Sequence, residues 1–218
     1  MCGIFGTSNF RSFEKLYNDN KIRGNFSHGF LFVSKNRKTY IRKGPGLHDL
    51  KTEKDWISSN RYNLYLGHTQ APTSSKRTFS DKTTHPFISD KFVIAHNGVL
   101  ENHSELCKSK HINVPEIDSE AICILLNELY LGDDIAVIKE LFSQLLGTFA
   151  CWIYSKTSSK CYLVRSGSTL FFNDIKTEFS STKTDTHTIP ASDGVIYEYT
   201  PEGYTSVENF SSNSAFFM

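Results

Sequence analysis

A cysteine stands directly behind the initiator methionine in MCGIFG, and a thiol in that position has chemistry available that an internal thiol lacks. Removal of Met1 ahead of this small residue leaves an α-amine of pKa ~8 beside the thiol, close enough to neutrality to act as general base for its own side chain. Position alone also fits a small apolar residue filling a first strand. A second candidate lies in AHNGVLEN, where the Asn97 amide and the Gly98 N–H can together donate to an oxyanion. The same Asn-Gly pair reads by default as a tight turn ending the strand. Third is Asp118 in IDSEAI, an acidic residue ahead of an apolar helical pattern, hence an N-cap by default. His103, Cys107 and His111 are spaced four apart and hint at a metal. Without a fourth ligand or paired cysteines they read as a solvated helix face, and no metal is expected.

The elements that must position these residues follow from the apolar pattern. CGIFGTS, FLFVSK, TYIRKG and NLYLGHTQ read as strands, with a helical segment around FEKLYNDNKIRG. From Ala71 to Asp90 the composition turns to Ser, Thr, Lys and Pro, a loop long enough to be functional. KFVIAHNGV reads as a buried strand. Spacings of three and four among Ile122, Leu125, Leu126 and Leu129, and again among Val137, Ile138, Leu141 and Leu145, predict helices over Asp118–Leu131 and Asp133–Leu146. Strand-like runs resume after Gly147. With no repeat, low-complexity tract or linker, residues 1–218 read as a single domain of class α+β, helices covering largely antiparallel sheets.

Composition excludes some partners. The 24 basic and 23 acidic residues leave a net charge of +1, which favours neither nucleic acid nor a membrane surface. No leader pattern and no run of ~18 apolar residues is present, and the five cysteines are odd in number and lack C-x-x-C spacing. A cytoplasmic location is therefore expected. No glycine-rich nucleotide loop is seen, so no cofactor is expected.

The order of the pieces carries more than any one of them. MCGIFG, RGNFSHGF, GHTQAPTSS, HPF, HNGVLENHSEL, DSEA and GTFACWIY follow one another as in class II glutamine amidotransferase domains, which are N-terminal-nucleophile hydrolases. The chain resembles this family from Cys2 to about Phe210, and LVRSGSTL resembles a stretch of its sugar-phosphate synthases. The resemblance implies a four-layer αββα sandwich. It implies Cys2 as nucleophile after loss of Met1, a γ-glutamyl thioester, and release of ammonia and then glutamate. Asn97 and Gly98 would hold the oxyanion, and Asp118 would bind the substrate α-amine. Thr73 matches a loop residue near the substrate carboxylate, with Ser74 beside it as a further candidate substrate contact, Arg23 and Gly24 match the family's Arg-Gly pair, and His85 in HPF matches a structural loop histidine.

The departures concern the carboxylate end of the substrate. Gln70 replaces the family arginine that pairs with the α-carboxylate, exchanging a charged bidentate fork for a neutral amide. Arg77, on the same loop, is placed to compensate. Phe26 stands where the synthases have aspartate, and Ser74 and Ser75 replace a His-Gly. Glutamine or another γ-glutamyl amide is thus the expected substrate. The chain ends where such relatives continue into an ammonia-using domain, so a separate ammonia-accepting synthase is the expected partner. A regulatory subunit that keeps the fold without turnover is the remaining alternative.

Overall fold

Gly3–Thr7 is small or apolar at nearly every position, and it forms a strand buried along its whole length. The computed structural model describes residues 2–53, 57, 62–71, 78–175 and 177–211. In chain order the elements are β1 (Gly3–Thr7), α1 (Phe10–Asn20), β2 (Ser27–Ser34), β3 (Thr39–Pro45), a 3-10 turn (Leu50–Glu53), β4 (Tyr62–Gln70), β5 (Phe87–Ile88) and β6 (Phe92–Leu100). Three helices follow, α2 (His103–Ser109), α3 (Asp118–Leu129) and α4 (Asp134–Phe142). Then come β7 (Gly147–Ser155), β8 (Lys160–Ser166), β9 (Phe171–Asn173), β10 (Glu178–Ser180), β11 (His187–Pro190), β12 (Val195–Thr200) and β13 (Gly203–Asn209). The class is α+β, with two antiparallel sheets and four helices among the described residues.

The chain divides into two compact units, each assembled from separated stretches. One holds the chain up to Pro86, Leu170–Pro190 and Thr200–Gly203; the other holds Phe87–Thr169, Ala191–Tyr199 and the chain from Tyr204. The first carries a seven-stranded sheet in the order β11-β9-β10-β1-β4-β2-β3. Helix α1 begins where the Asn9 side chain accepts the N–H groups of Arg11 and Ser12, satisfying donors that the first turn leaves open. Its buried residues Phe13, Leu16, Tyr17 and Asn20 recur at helical spacing, so one face is apolar except at Asn20. That face meets aromatic side chains of the sheet: Phe13 stands edge-on to Phe30 and to Phe32 at 5.3 Å, and Tyr17 edge-on to Phe30 at 5.0 Å. Edge-to-face rings at these distances add attraction beyond the area they bury.

The second unit carries a six-stranded sheet in the order β13-β12-β8-β7-β6-β5. Its core joins Ile122, Leu125, Leu126, Ile138, Leu141 and Phe142 to Ile94, Phe149, Cys151 and Val164, so the helical pattern read from the sequence is the packed face. Both helices are shorter than their apolar spacing predicts. Helix α3 stops at Leu129 because Tyr130 turns extended, leaving Leu131 fully exposed. Helix α4 starts one residue late, with Asp133 as its cap through Ala136 N–H, and ends at Phe142; Leu145 is buried from outside the helix.

Two further expectations are corrected. Asn97-Gly98 makes no turn: β6 runs straight through it, pairing Asn97 with Ala150 and Gly98 with Phe149. The neighbouring strand supplies a continuous ladder, which outweighs the local turn preference. His103, Cys107 and His111 do not share a helix face. Cys107 is wholly buried, α2 ends at Ser109, and His111 lies beyond it at φ 57°. The Ala71–Asp90 segment is also less loop-like than its composition suggests, since Thr84, His85 and Phe87 are buried and Phe87–Ile88 pairs with β6.

Candidate active site

The candidate residues fall into two groups, one in each unit. In the first, Cys2 is buried at the head of β1, its thiol 3.8 Å from the Ala71 carbonyl. Its own carbonyl accepts from Arg23 Nε at 2.8 Å, and Arg23 Nη1 reaches the Ser181 carbonyl at 3.2 Å. The guanidinium thus ties the head of β1 to the chain beyond β10. Burial lowers the Arg23 pKa from its ordinary value, and the charge of a Cys2 thiolate acts to raise it. Arg23 lies in the turn that closes α1, where its N–H bonds to Asn20 O. Gly24 has no room for a side chain, since a Cβ there would lie 2.2 Å from the Gln70 carbonyl carbon. The Arg-Gly pair therefore combines a donor with a close approach of two backbones.

Asn20, which the sequence reading missed, organises the same region. Its side-chain N–H groups reach Leu16 O at 2.8 Å and Ser180 Oγ at 2.9 Å, its side-chain oxygen accepts from Thr182, and its main-chain oxygen accepts from Thr69. Ile4 N–H donates to Ser181 Oγ while Ser181 N–H returns to Ile4 O. A buried polar set bonded this fully is rigid, because any shift strands a donor in a low dielectric. One Asn on an otherwise apolar helix face was the signal available.

Gln70 ends β4, fully buried, with its side-chain oxygen accepting from Ser27 Oγ at 2.7 Å. Ser27 and Gln70 are register partners, so the bond is a cross-strand pair. His85 is buried with its ring stacked on His68 at 3.9 Å. Thr73 and Ser74, with Ser75 and Arg77, lie outside the described residues.

In the second unit, β6 presents Asn97 and Gly98. Asn97 is buried and Gly98 adopts φ 153°. A Cβ at Gly98 would lie 1.9 Å from Thr148 O on β7 and 2.8 Å from His96 Nε2. Only glycine fits, and its N–H is held on a strand rather than in a mobile turn. Asp118 is the first residue of α3 rather than its cap, which is Ile117. Its carboxylate reaches back to β6, where Leu100 N–H donates to Oδ2 at 2.9 Å, while Ser119 N–H donates to Oδ1 at 2.7 Å. The positive end of the helix dipole favours a carboxylate there. Asp118 is thereby joined through Leu100 to the strand of Asn97 and Gly98.

His96 is buried beside it, Nδ1 2.9 Å from Ser119 Oγ and Nε2 3.4 Å from Thr148 O. Burial lowers its pKa from 6.5, against the opposing pull of Asp118. For Asp118 itself, burial raises the pKa, but His96, the Leu100 and Ser119 N–H groups and the Ser119 hydroxyl outweigh it, so the carboxyl lies below its ordinary 3.8. Burial pushes the Cys151 thiol well up, so this register partner of His96 is an inert core thiol.

These directions fix a pH dependence. Below about pH 6.5 the unfolded chain protonates its histidines, while His96, and His187 with it, takes up its proton only at lower pH in the fold, because burial opposes the charge. Stability is therefore expected to fall as pH drops from about 6.5 toward 5, and Asp118 adds a further loss below about 4. Urea unfolding midpoints across this range check it. His96→Gln should flatten the first limb, and an unchanged limb would mean that His96 does not carry it.

Residues 75–187, just over half the chain, match the family model described as a glutamine amidotransferase domain. The glutamine–fructose-6-phosphate aminotransferase (isomerizing) of Symbiobacterium thermophilum is 29% identical, covering 94% of this chain and 36% of that protein. The enzyme of the same name from Francisella tularensis is 31% identical, covering 78% of this chain and 29% of that protein. Among solved structures, glutamine phosphoribosylpyrophosphate amidotransferase from B. subtilis superimposes with a TM-score of 0.74 at 20% identity, over 96% of this chain and 49% of that one. The chain spans about a third of the length of the curated relatives it matches. No described helix is long and apolar enough to cross a membrane. With the sequence match, the shared fold and the motif order in agreement, the chain belongs to the glutamine amidotransferase domain family.

Proposed function

We propose that the protein hydrolyses the side-chain amide of glutamine to glutamate and ammonia, with Cys2 as nucleophile once Met1 is removed. The Cys2 thiol loses its proton to the α-amine and attacks the amide carbon. Asn97 and the Gly98 N–H donate to the oxygen that becomes negative. Collapse breaks the C–N bond, and the proton held by the α-amine goes to the departing nitrogen, which leaves as ammonia. Water then attacks the thioester, giving glutamate and the free thiol. Asp118 accepts the substrate ammonium as a carboxylate, and its lowered pKa extends that ionised form further into acid. The observation that carries this reading is Gly98, a strand glycine at φ 153° whose side-chain space is filled by Thr148 O. The close approach of β7 and the backbone conformation restrict this position to glycine, which fixes the Gly98 N–H beside Asn97 as an oxyanion donor.

The ammonia is passed to a synthase, in the cytoplasm, where cysteines without disulfides are stable. The five cysteines are buried and not joined in disulfides. Glutamate release from purified protein, with intact mass showing loss of Met1, tests the proposal. A Met1-free protein that yields no glutamate and takes no glutamine-analogue electrophile on Cys2 would leave only the regulatory-subunit reading.

A second reading keeps the chemistry and changes the substrate. Gln70 is buried with its carbonyl oxygen taken by Ser27, so position 70 offers no charge to an α-carboxylate. Other γ-glutamyl amides, whose amide substituent offers contacts that glutamine lacks in place of a strong grip on the α-carboxylate, are then the alternative substrate class. Their kcat/KM exceeding that of glutamine, with Gln70→Arg reversing the order, would establish it; preference for glutamine in the native protein would exclude it.

A further inference from the structure

Three candidates beyond the residues given roles above stand out: the cavity beside α1, the buried Asp134 cluster, and the His96–Ser119 pair. The cavity is lined by Glu14, Lys21, Asp49 and Lys51, mixed charges that specify no ligand. Asp134 has its carboxylate filled by the hydroxyls of Ser155, Ser158 and Tyr162, so it stitches α4 to the β7–β8 hairpin and leaves no oxygen for a ligand. The third candidate extends the site itself.

We infer that Ser119 and His96 are positioning residues that hold the Asp118 carboxylate in the orientation that receives the substrate ammonium. The inference rests on the glutaminase reading. Ser119 Oγ lies 3.2 Å from Asp118 Oδ1 and 2.9 Å from His96 Nδ1, so the hydroxyl sits between carboxylate and imidazole. A hydroxyl has one proton to give and lone pairs to receive. A neutral His96 carrying its proton on Nδ1 donates to Ser119 Oγ and directs the Ser119 proton to Asp118. The single Ser119 proton is directed to the carboxylate, so the 2.9 Å contact at Nδ1 requires a proton on that nitrogen, and the Thr148 carbonyl, which can only accept, is left at a long 3.4 Å from Nε2. His96 and Ser119 are both buried, as is Cys151 across the ladder, so the chain runs through a dry region.

The arrangement solves a geometric problem. The two N–H donors to Asp118 come from Leu100 and Ser119 and grip different oxygens. The Ser119 hydroxyl adds a third donor on Oδ1, and its own direction is set from β6 by His96. The carboxylate plane is then fixed by both the strand carrying Asn97 and Gly98 and the helix carrying Asp118. Loss of the hydroxyl leaves the charge but loosens its aim, which affects recognition of the ammonium more than attack on the amide. A residue that only filled space would change stability and leave KM alone.

The test compares native protein, Ser119→Ala and Ser119→Thr in glutamine hydrolysis. Ser119→Ala is expected to raise KM roughly tenfold with kcat within about twofold, the scale of one charge-assisted hydrogen bond. Ser119→Thr, which keeps the hydroxyl, should restore KM to within about twofold. An unchanged KM in Ser119→Ala, or a fall in kcat alone, overturns the inference. A second readout needs no turnover: the Leu100 amide resonance, reporting Asp118 ionisation, should titrate at higher pH in Ser119→Ala than in the native protein. If native protein does not hydrolyse glutamine, the glutaminase reading fails by itself. The Leu100 titration then still decides whether Ser119 supports the carboxylate, and an unmoved midpoint overturns the inference.

Discussion

Cys2→Ala is expected to abolish glutamate release while leaving the protein folded. The thiol is the only group in the proposed mechanism that forms a covalent bond, so no neighbour replaces it. The fold should tolerate its loss because the short hydrogen bonds described at the head of β1 are made by its main chain. Arg23 grips the Cys2 carbonyl, and Ser181 brackets β1 two residues on, through Ile4 N–H and O. Neither uses the sulfur, whose contact with Ala71 O is long. Removing one small apolar atom from a buried site costs roughly 1 kcal/mol, which corresponds to a melting shift of about 2–4 °C in a chain of this size. Glutamate release and a thermal melt on the same preparation check both halves. Residual turnover near native levels would assign the nucleophile elsewhere, and a collapse in stability would make Cys2 a packing residue.

Gly98→Ala is expected to fail in a different way, losing both activity and stability. The backbone at φ 153° disfavours any Cβ by about 1–3 kcal/mol. Overpacking adds about 1–3 kcal/mol more, since the new atom would meet the Thr148 carbonyl at 1.9 Å and β6 would have to move off β7. That movement carries the Gly98 N–H away from the oxyanion position. Asn97→Ala separates the two effects. It removes an oxyanion donor without entering occupied space, so kcat should fall by ~10²–10³ with a much smaller loss of stability. Denaturation midpoints and kcat for the pair check the expectation. Equal stabilities for Gly98→Ala and native protein would show that β6 can give way, and that the glycine is not required by its neighbours.

The family and the residues of the candidate site were legible in the sequence because they depend on local patterns in a fixed order. Cys2 behind Met1, the Asn-Gly pair and Asp118 ahead of an apolar repeat can each be read without coordinates. The helical periodicity that placed Ile122, Leu125, Ile138 and Leu141 in the core also survived folding. The reading failed where a partner strand decided the outcome. Asn-Gly has a strong turn preference, yet the ladder to Ala150 and Phe149 keeps it extended. His103, Cys107 and His111 suggested one face, but α2 ends before the third.

Chain order and residue type by themselves determined which groups are candidates for chemistry: a thiol directly behind Met1, an amide beside a glycine, and a carboxylate at a helix start. Tertiary structure alone decided how they are held. Arg23 and Asn20 anchor the head of β1 through residues about 160 positions away, Ser180, Ser181 and Thr182. His96 meets Ser119 across 23 positions, and Gln70 is tied to Ser27 across 43. Such contacts are set by sheet register and the docking of helix on strand. They depend on distant segments meeting at fixed offsets, which no local pattern of residue types encodes.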